Sequence, residues 1–143
     1  MESPQSILFV TSEKQTSGPT PNLSTTLAKA GYQVMIANVS EIESVVTRYA
    51  PALVIASLPG LRESDLQLCR LLLHLISAPV MVISPLDDVD GRIAALDAGI
   101  VDYRVSPVSP LEVAGRVRNI LERQSRNKPL QKDPDLLHKE AFT

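Results

Sequence analysis

Four of the five places where a small α/β protein would keep its chemistry carry hydroxyl side chains in this chain, and the fifth carries an amide. The short apolar runs SILFV, QVMIA, ALVIA, PVMVI and VDYRV are followed by Thr11 and Ser12, by Asn38, by Ser57, by Ser84 and by Ser106. In parallel α/β sheets, ligands bind in the crevice beyond the carboxyl ends of the strands. Mg²⁺ is normally held there by carboxylates together with water and substrate oxygens, which neutral hydroxyls replace poorly. Ser57, Ser84 and Ser106 are therefore expected to bond neighbouring backbone or water in a closed pocket.

Few other side chains invite chemistry. The one cysteine, Cys69, falls inside the apolar pattern LQLCRLLLHLI, so it is read as a buried thiol and excludes an internal disulfide. That usage points to a reducing, cytoplasmic compartment. His74 lies in the run LLHLI and reads as a packed or partly exposed histidine, and His138 lies in a polar tail. No metal site and no cofactor are expected.

The chain has 143 residues, 44% of them hydrophobic, which suits one core. A formal net charge of −2 supplies no basic field for nucleic acid, so direct DNA contact by these residues is not expected. The start MESPQSILFV lacks a basic segment followed by an apolar one, and no run reaches the roughly 18 apolar residues of a membrane span.

The elements that must position the hydroxyls follow from periodicity. Apolar runs rich in Val and Ile alternate with segments of helical period, the pattern of βαβ units. Strands are predicted near 6–10, 33–37, 52–57, 79–83 and 101–105, and helices near 21–30, 41–49, 64–76, 88–98 and 109–123. Runs such as ALVIA and VMVI are apolar on both faces, so helices must cover both sides of the sheet. The fold class is α/β, a doubly wound five-stranded parallel sheet. Gly31 and Gly99 stand where helices end in a left-handed residue. Ser64 is predicted to cap the third helix, and Ser109, followed by Pro110 and Glu112, the fifth.

After Arg123 the composition turns polar and loses its period. Residues 1–124 are read as one domain, and 125–143 as a linker or the start of a further domain.

Taken together, ILFV, the GYQV turn, PALVIAS with LPG, PVMVIS, the ALDAG..DY block and SPVSPLEVAGRVRNIL resemble a receiver domain, most closely the N-terminal half of OmpR/PhoB-type response regulators. The resemblance covers about residues 6–124 and implies the flavodoxin-like (βα)5 arrangement. Members of that family accept a phosphoryl group from a kinase histidine on an aspartate after the third strand. An acidic pair after the first strand holds Mg²⁺, while a hydroxyl after the fourth strand and a lysine after the fifth contact the phosphate.

On this chain the acceptor position is Ser57, the acidic pair falls on Thr11 and Ser12, and the lysine position is Ser106. Only Ser84 and the switch aromatic, Tyr103, match. Phosphoryl transfer depends on positioning and on charge neutralisation by metal and cations, so these departures imply a site that has lost its reaction. Glu13 alone would make a weak Mg²⁺ site. The first loop, TSEKQTSGPTPN, resembles only faintly the phosphate loop of flavodoxins, and the chain has no tryptophan to stack a flavin.

The resemblance also implies an assembly face on the fourth helix, fifth strand and fifth helix. Its charged members would be Arg92, Asp97, Asp102, Glu112, Arg116 and Arg118, and its apolar ones Ile93, Leu96 and Ala114. Val101 stands where the family usually has a second aspartate. An ordinary solvated helical face is the plainer reading of the charges, but six charged positions that fit one two-fold pattern favour an interface.

The expected function is that of an atypical pseudo-receiver: a phosphorylation-independent regulatory and dimerisation domain of a response regulator controlling transcription. It would be a homodimer and not an enzyme, reaching DNA only through a winged-helix output domain after the linker and making no membrane contact. The alternative is a stand-alone interaction or small-molecule-sensing module whose hydroxyl pocket takes an unidentified ligand or protein partner. A flavodoxin-like enzyme is the third reading.

Overall fold

The computed structural model describes residues 5–11, 21–60 and 62–126. The strands are β1 (Ser6–Thr11), β2 (Gln33–Asn38), β3 (Leu53–Ser57), β4 (Val80–Ser84) and β5 (Asp102–Val105). They alternate with helices α1 (Pro21–Lys29), α2 (Ile42–Arg48), α3 (Glu63–Leu75), α4 (Val89–Ala98) and α5 (Pro110–Arg126). All pairings are parallel, in the order β2-β1-β3-β4-β5. The chain reverses its winding between β1 and β3, and that switch point is where such sheets open a crevice.

Every residue of β3 and β4 is buried, as strands covered on both faces must be. On one face Val54, Ala56, Val80 and Val82 pack under α2, α3 and α4 through Ile42, Cys69, Leu72 and Ala95. On the other, Ile7, Ile55, Met81 and Ile83 pack under α1 and α5 through Leu23, Leu27, Val113 and Val117.

Local signals set most boundaries. Gly31 has φ +101, with Tyr32 N–H bonded to Leu27 C=O and Gly31 N–H to Ala28 C=O, the two bonds of a Schellman ending. Gly99 has φ +122 and ends α4 in the same manner. Ser109 Oγ accepts the Glu112 N–H at 3.4 Å, which caps α5 as predicted.

Several boundaries differ from expectation by a residue or more. The third helix starts one residue early: Arg62 is its cap residue, and Asp65 accepts the Arg62 N–H at 3.1 Å. Ser64 therefore sits inside the first turn, because the carboxylate three residues along satisfies the exposed N–H that a capping serine would otherwise leave. Ahead of α2, Asn38 and Glu41 form a capping box around a 3₁₀ turn, Val39–Glu41, so the α-helix begins at Ile42. Strand β5 starts at Asp102, not at 101. Helix α5 runs on to Arg126, past the 124 boundary, because the polar residues after Arg123 remain good helix formers without apolar period.

Candidate functional site

The strand ends meet as the topology requires. Thr11 lies in register with Asn38 on one side and Ser57 on the other, and Ser57 is opposite Ile83, one residue before Ser84. Ser57 is 3% exposed and Ser84 fully buried. Ser106 follows β5, with its N–H on the Ser84 carbonyl at 2.8 Å. Strand alternation puts Thr11 and Ser57 on the α1/α5 side and Ser84 and Tyr103 on the α2–α4 side. The expected set thus splits into two pairs on opposite faces. Ser12, Glu13, Gly18 and His138 lie outside the described residues.

Ser84 and Tyr103 converge on the backbone of one residue, Leu86. Ser84 Oγ accepts the Leu86 N–H at 3.2 Å, and the Tyr103 hydroxyl donates to the Leu86 carbonyl at 2.5 Å. Tyr103 is 7% exposed, so this aromatic ring is turned inward. The Leu86 side chain lies against Gly60 in the β3–α3 connection, where an added Cβ would stand 3.0 Å from Leu86 Cδ1. Leu86 thereby ties the end of β4, the side chain of β5 and the loop after β3 together. Sequence reasoning could not find it, because Tyr103 lies 17 residues away and Gly60 farther still, and an exposed leucine after Ser-Pro has no periodic signal.

The donor set is chemically neutral. Among the described residues no group of three or more His, Cys, Asp or Glu could hold a metal ion. The hydroxyls of Thr11, Ser57 and Ser84 do not suit Mg²⁺, the ion the fold family implies at this position. Cys69 is buried in the α3 core, where desolvation and then the nearby Asp65 charge push its thiol up to about 11, so it stays protonated and unreactive. His74 is exposed.

The expected assembly face is divided by the structure. Ile93 and Leu96 are exposed on α4, at 58% and 45%. Asp102 is engaged inside its own chain: one carboxylate oxygen accepts from Arg104 at 3.0 Å and from Arg116 at 3.3 Å, with only 15% of the side chain exposed. Arg92 reaches Asp87 at 3.5 Å. Asp97, Glu112 and Arg118 make no ion pair among the described residues.

Two members belong elsewhere. Ala114 packs against the α1/α5 core, and the Arg118 charge acts on Tyr32, whose phenol burial raises and Arg118 lowers. At about 100° per residue, Ala114 and Arg118 fall on the α1 flank of α5, away from Glu112 and Arg116. Arg123, seven residues after Arg116, shares the Arg116 flank and is exposed. That repeat was present in the sequence as a heptad spacing.

Comparison with known proteins agrees with this geometry, although no family model matches the chain. A probable transcriptional regulator ycf27 of Porphyridium aerugineum is 34% identical over 102 residues, which is 71% of this chain and 42% of that protein. Its counterpart in Cyanidium caldarium is 30% identical over 111 residues, 76% of this chain and 45% of that protein. The chain thus spans under half the length of these curated relatives. A response regulator from Thermotoga maritima superposes with a TM-score of 0.72 at 26% identity, over 82% of this chain and 98% of that one. The beryllofluoride-activated N-terminal receiver domain of Klebsiella pneumoniae RstA gives 0.66 at 27% identity, with coverages of 82% and 98%. No described helix is long and apolar enough to cross a membrane. Agreement between relatives found by sequence and relatives found by shape places this chain in the response-regulator family, as a receiver domain.

Proposed function

We propose that this receiver works without phosphorylation, as the regulatory and dimerisation module of an OmpR/PhoB-type regulator of transcription. The observation that carries the reading is the residue at the end of β3. Ser57 stands beside Thr11 in the sheet register, with hydroxyls where phosphoryl transfer needs a nucleophilic carboxylate and metal ligands. The inward Tyr103 and the paired bonds on Leu86 support a conformation set by the sequence itself, since an equilibrium with no phosphoryl group to shift it must be biased by other contacts. Curated relatives named as transcriptional regulators, each more than twice the matched length, support an output domain beyond the linker that makes the DNA contact.

Association would use α4, β5 and the Arg116 flank of α5 in a homodimer. Sedimentation over a concentration series tests both parts, with and without Mg²⁺ and beryllofluoride. A dimer indifferent to the phosphoryl analogue is expected. Tighter association on adding it, or an acyl phosphate formed from acetyl phosphate, would overturn phosphorylation independence.

A hollow of about 260 Å³ beside β5, lined by Arg92, Tyr103, Arg104, Ser109 and Glu112, favours a second reading as a ligand- or partner-sensing module. On that reading the unliganded chain is a monomer at all concentrations.

A further inference from the structure

The hollow beside β5 gathers charge from three elements. Arg92 enters it from α4, Arg104 from β5, and Ser109 and Glu112 from the start of α5, while the Tyr103 ring and Val108 supply apolar wall. Glu112 lines the same space as two arginines, yet the arginines pair with Asp87 and Asp102 instead. Opposite charges that share one hollow without closing on each other leave room for a molecule that joins them.

The donors left over can be named. Arg92 reaches Asp87 through Nη1 at 3.5 Å, and Arg104 gives its Nε–H to Asp102 at 3.0 Å. A guanidinium carries more N–H donors than one such contact uses, so both arginines keep donors for a ligand. The Ser109 hydroxyl accepts the Glu112 N–H at 3.4 Å and still has its own proton to give. Tyr103 contributes only its ring, because its hydroxyl is engaged by the Leu86 carbonyl.

Charge selects the ligand class. Around the hollow Arg92, Arg104 and Arg116 are balanced by Asp87, Asp102 and Glu112. A phosphate or a dicarboxylate would meet the guanidinium groups together with carboxylates that repel it, and a simple cation would meet the reverse. A molecule neutral overall, with one anionic and one cationic end, finds attraction at both ends. The volume, about 260 Å³, falls just below the roughly 300 Å³ at which pockets for drug-sized molecules begin, and suits something the size of one amino acid. Val108 and the Tyr103 ring favour an uncharged side chain on it.

We propose that this hollow binds a free amino acid with an uncharged side chain, in its zwitterionic form, with the carboxylate on Arg92 and Arg104 and the ammonium on Glu112. This rests on the sensing reading and names the class of its ligand. Because the charges come from α4, β5 and α5, an occupied hollow ties the three elements together.

An amide chemical-shift titration of the full chain with each uncharged amino acid tests the site, with the N-acetyl and amide derivatives of each binder, succinate and inorganic phosphate as further probes. At least one amino acid is expected to bind at millimolar concentration or below and to move resonances between Tyr103 and Val113. Loss of either charge from the ligand should weaken binding roughly tenfold. Glu112→Gln, a change at an exposed position, should weaken the intact amino acid by the same factor and leave its N-acetyl derivative unaffected. Succinate, phosphate or the N-acetyl derivative binding as tightly as the amino acid, and losing it in Arg92→Gln, would overturn the zwitterion and leave the sensing reading standing. Amino-acid binding that neither variant weakens would overturn the site. A chain that takes none of these probes would overturn the proposal, and a dimer found by sedimentation of that same unliganded chain would remove the sensing reading as well.

Discussion

The carboxyl ends of the central strands and the outer side of α4 are opposites. At the strand ends the side chains are small, polar and buried, and Ser84 and Tyr103 are engaged with Leu86 of the same chain. On the outer side of α4 the side chains are large, apolar and half exposed. Receiver folds are known by the first region. In this chain the first region is engaged by contacts within the molecule, and the second is left half exposed. The site a fold is named for need not be the site that acts, because free energy of association comes only from groups not already satisfied.

Changes on the two regions should separate assembly from stability. The largest effect is expected for Ile93→Asp, which puts a charge on the outer side of α4. It should weaken self-association roughly a hundredfold by sedimentation, while thermal unfolding of the dilute protein shifts by no more than about 0.5 kcal/mol. A large loss of stability instead would show that α4 is held by its own fold and not by a second copy.

Ser57→Asp reverses the pattern. A carboxylate at a position 3% exposed should cost ~2 kcal/mol at neutral pH in urea unfolding. Burial favours the protonated carboxyl, so the cost should shrink as pH falls. Beryllofluoride should still leave its association unchanged, and a response would mean that one carboxylate is enough to reopen the site.

Tyr103→Phe removes the hydroxyl from the Leu86 carbonyl and should cost about 1 kcal/mol. Its effect on association, smaller than that of Ile93→Asp, would measure how far the inner clamp supports the outer face. The smallest effect concerns Cys69. Its thiol, raised from 9 unfolded to about 11 folded, contributes stability fully present below pH 9 and lost as pH rises toward 11. Native alkylation near pH 8 should accordingly be slow and should speed up on unfolding.

The fold was legible where one residue's environment follows from its neighbours in sequence. The uniformly apolar ALVIA and VMVI announced central strands, and Gly31, Gly99 and Ser109 with Pro110 announced helix ends by backbone chemistry alone. The N-terminus of α3 was misread because two capping schemes competed within four residues and the carboxylate of Asp65 prevailed over Ser64. The site was less legible. Types at positions 57, 84 and 106 could be read directly, but the hold on Leu86 is a contact between distant segments that no periodicity announces. Ala114 and Arg118 lie on a different flank of α5 from Arg116, because residues two apart on a helix face nearly opposite ways.

Gly91 and Ala95, the buried residues of α4, have a consequence for motion. Side chains this small give α4 little surface by which the sheet can grip it, so its amide hydrogens should exchange with solvent sooner than those of α3 or α5. Exchange that slows as concentration rises would mean that α4 takes its rigidity from outside the chain, which makes the helix a part whose order is supplied by company.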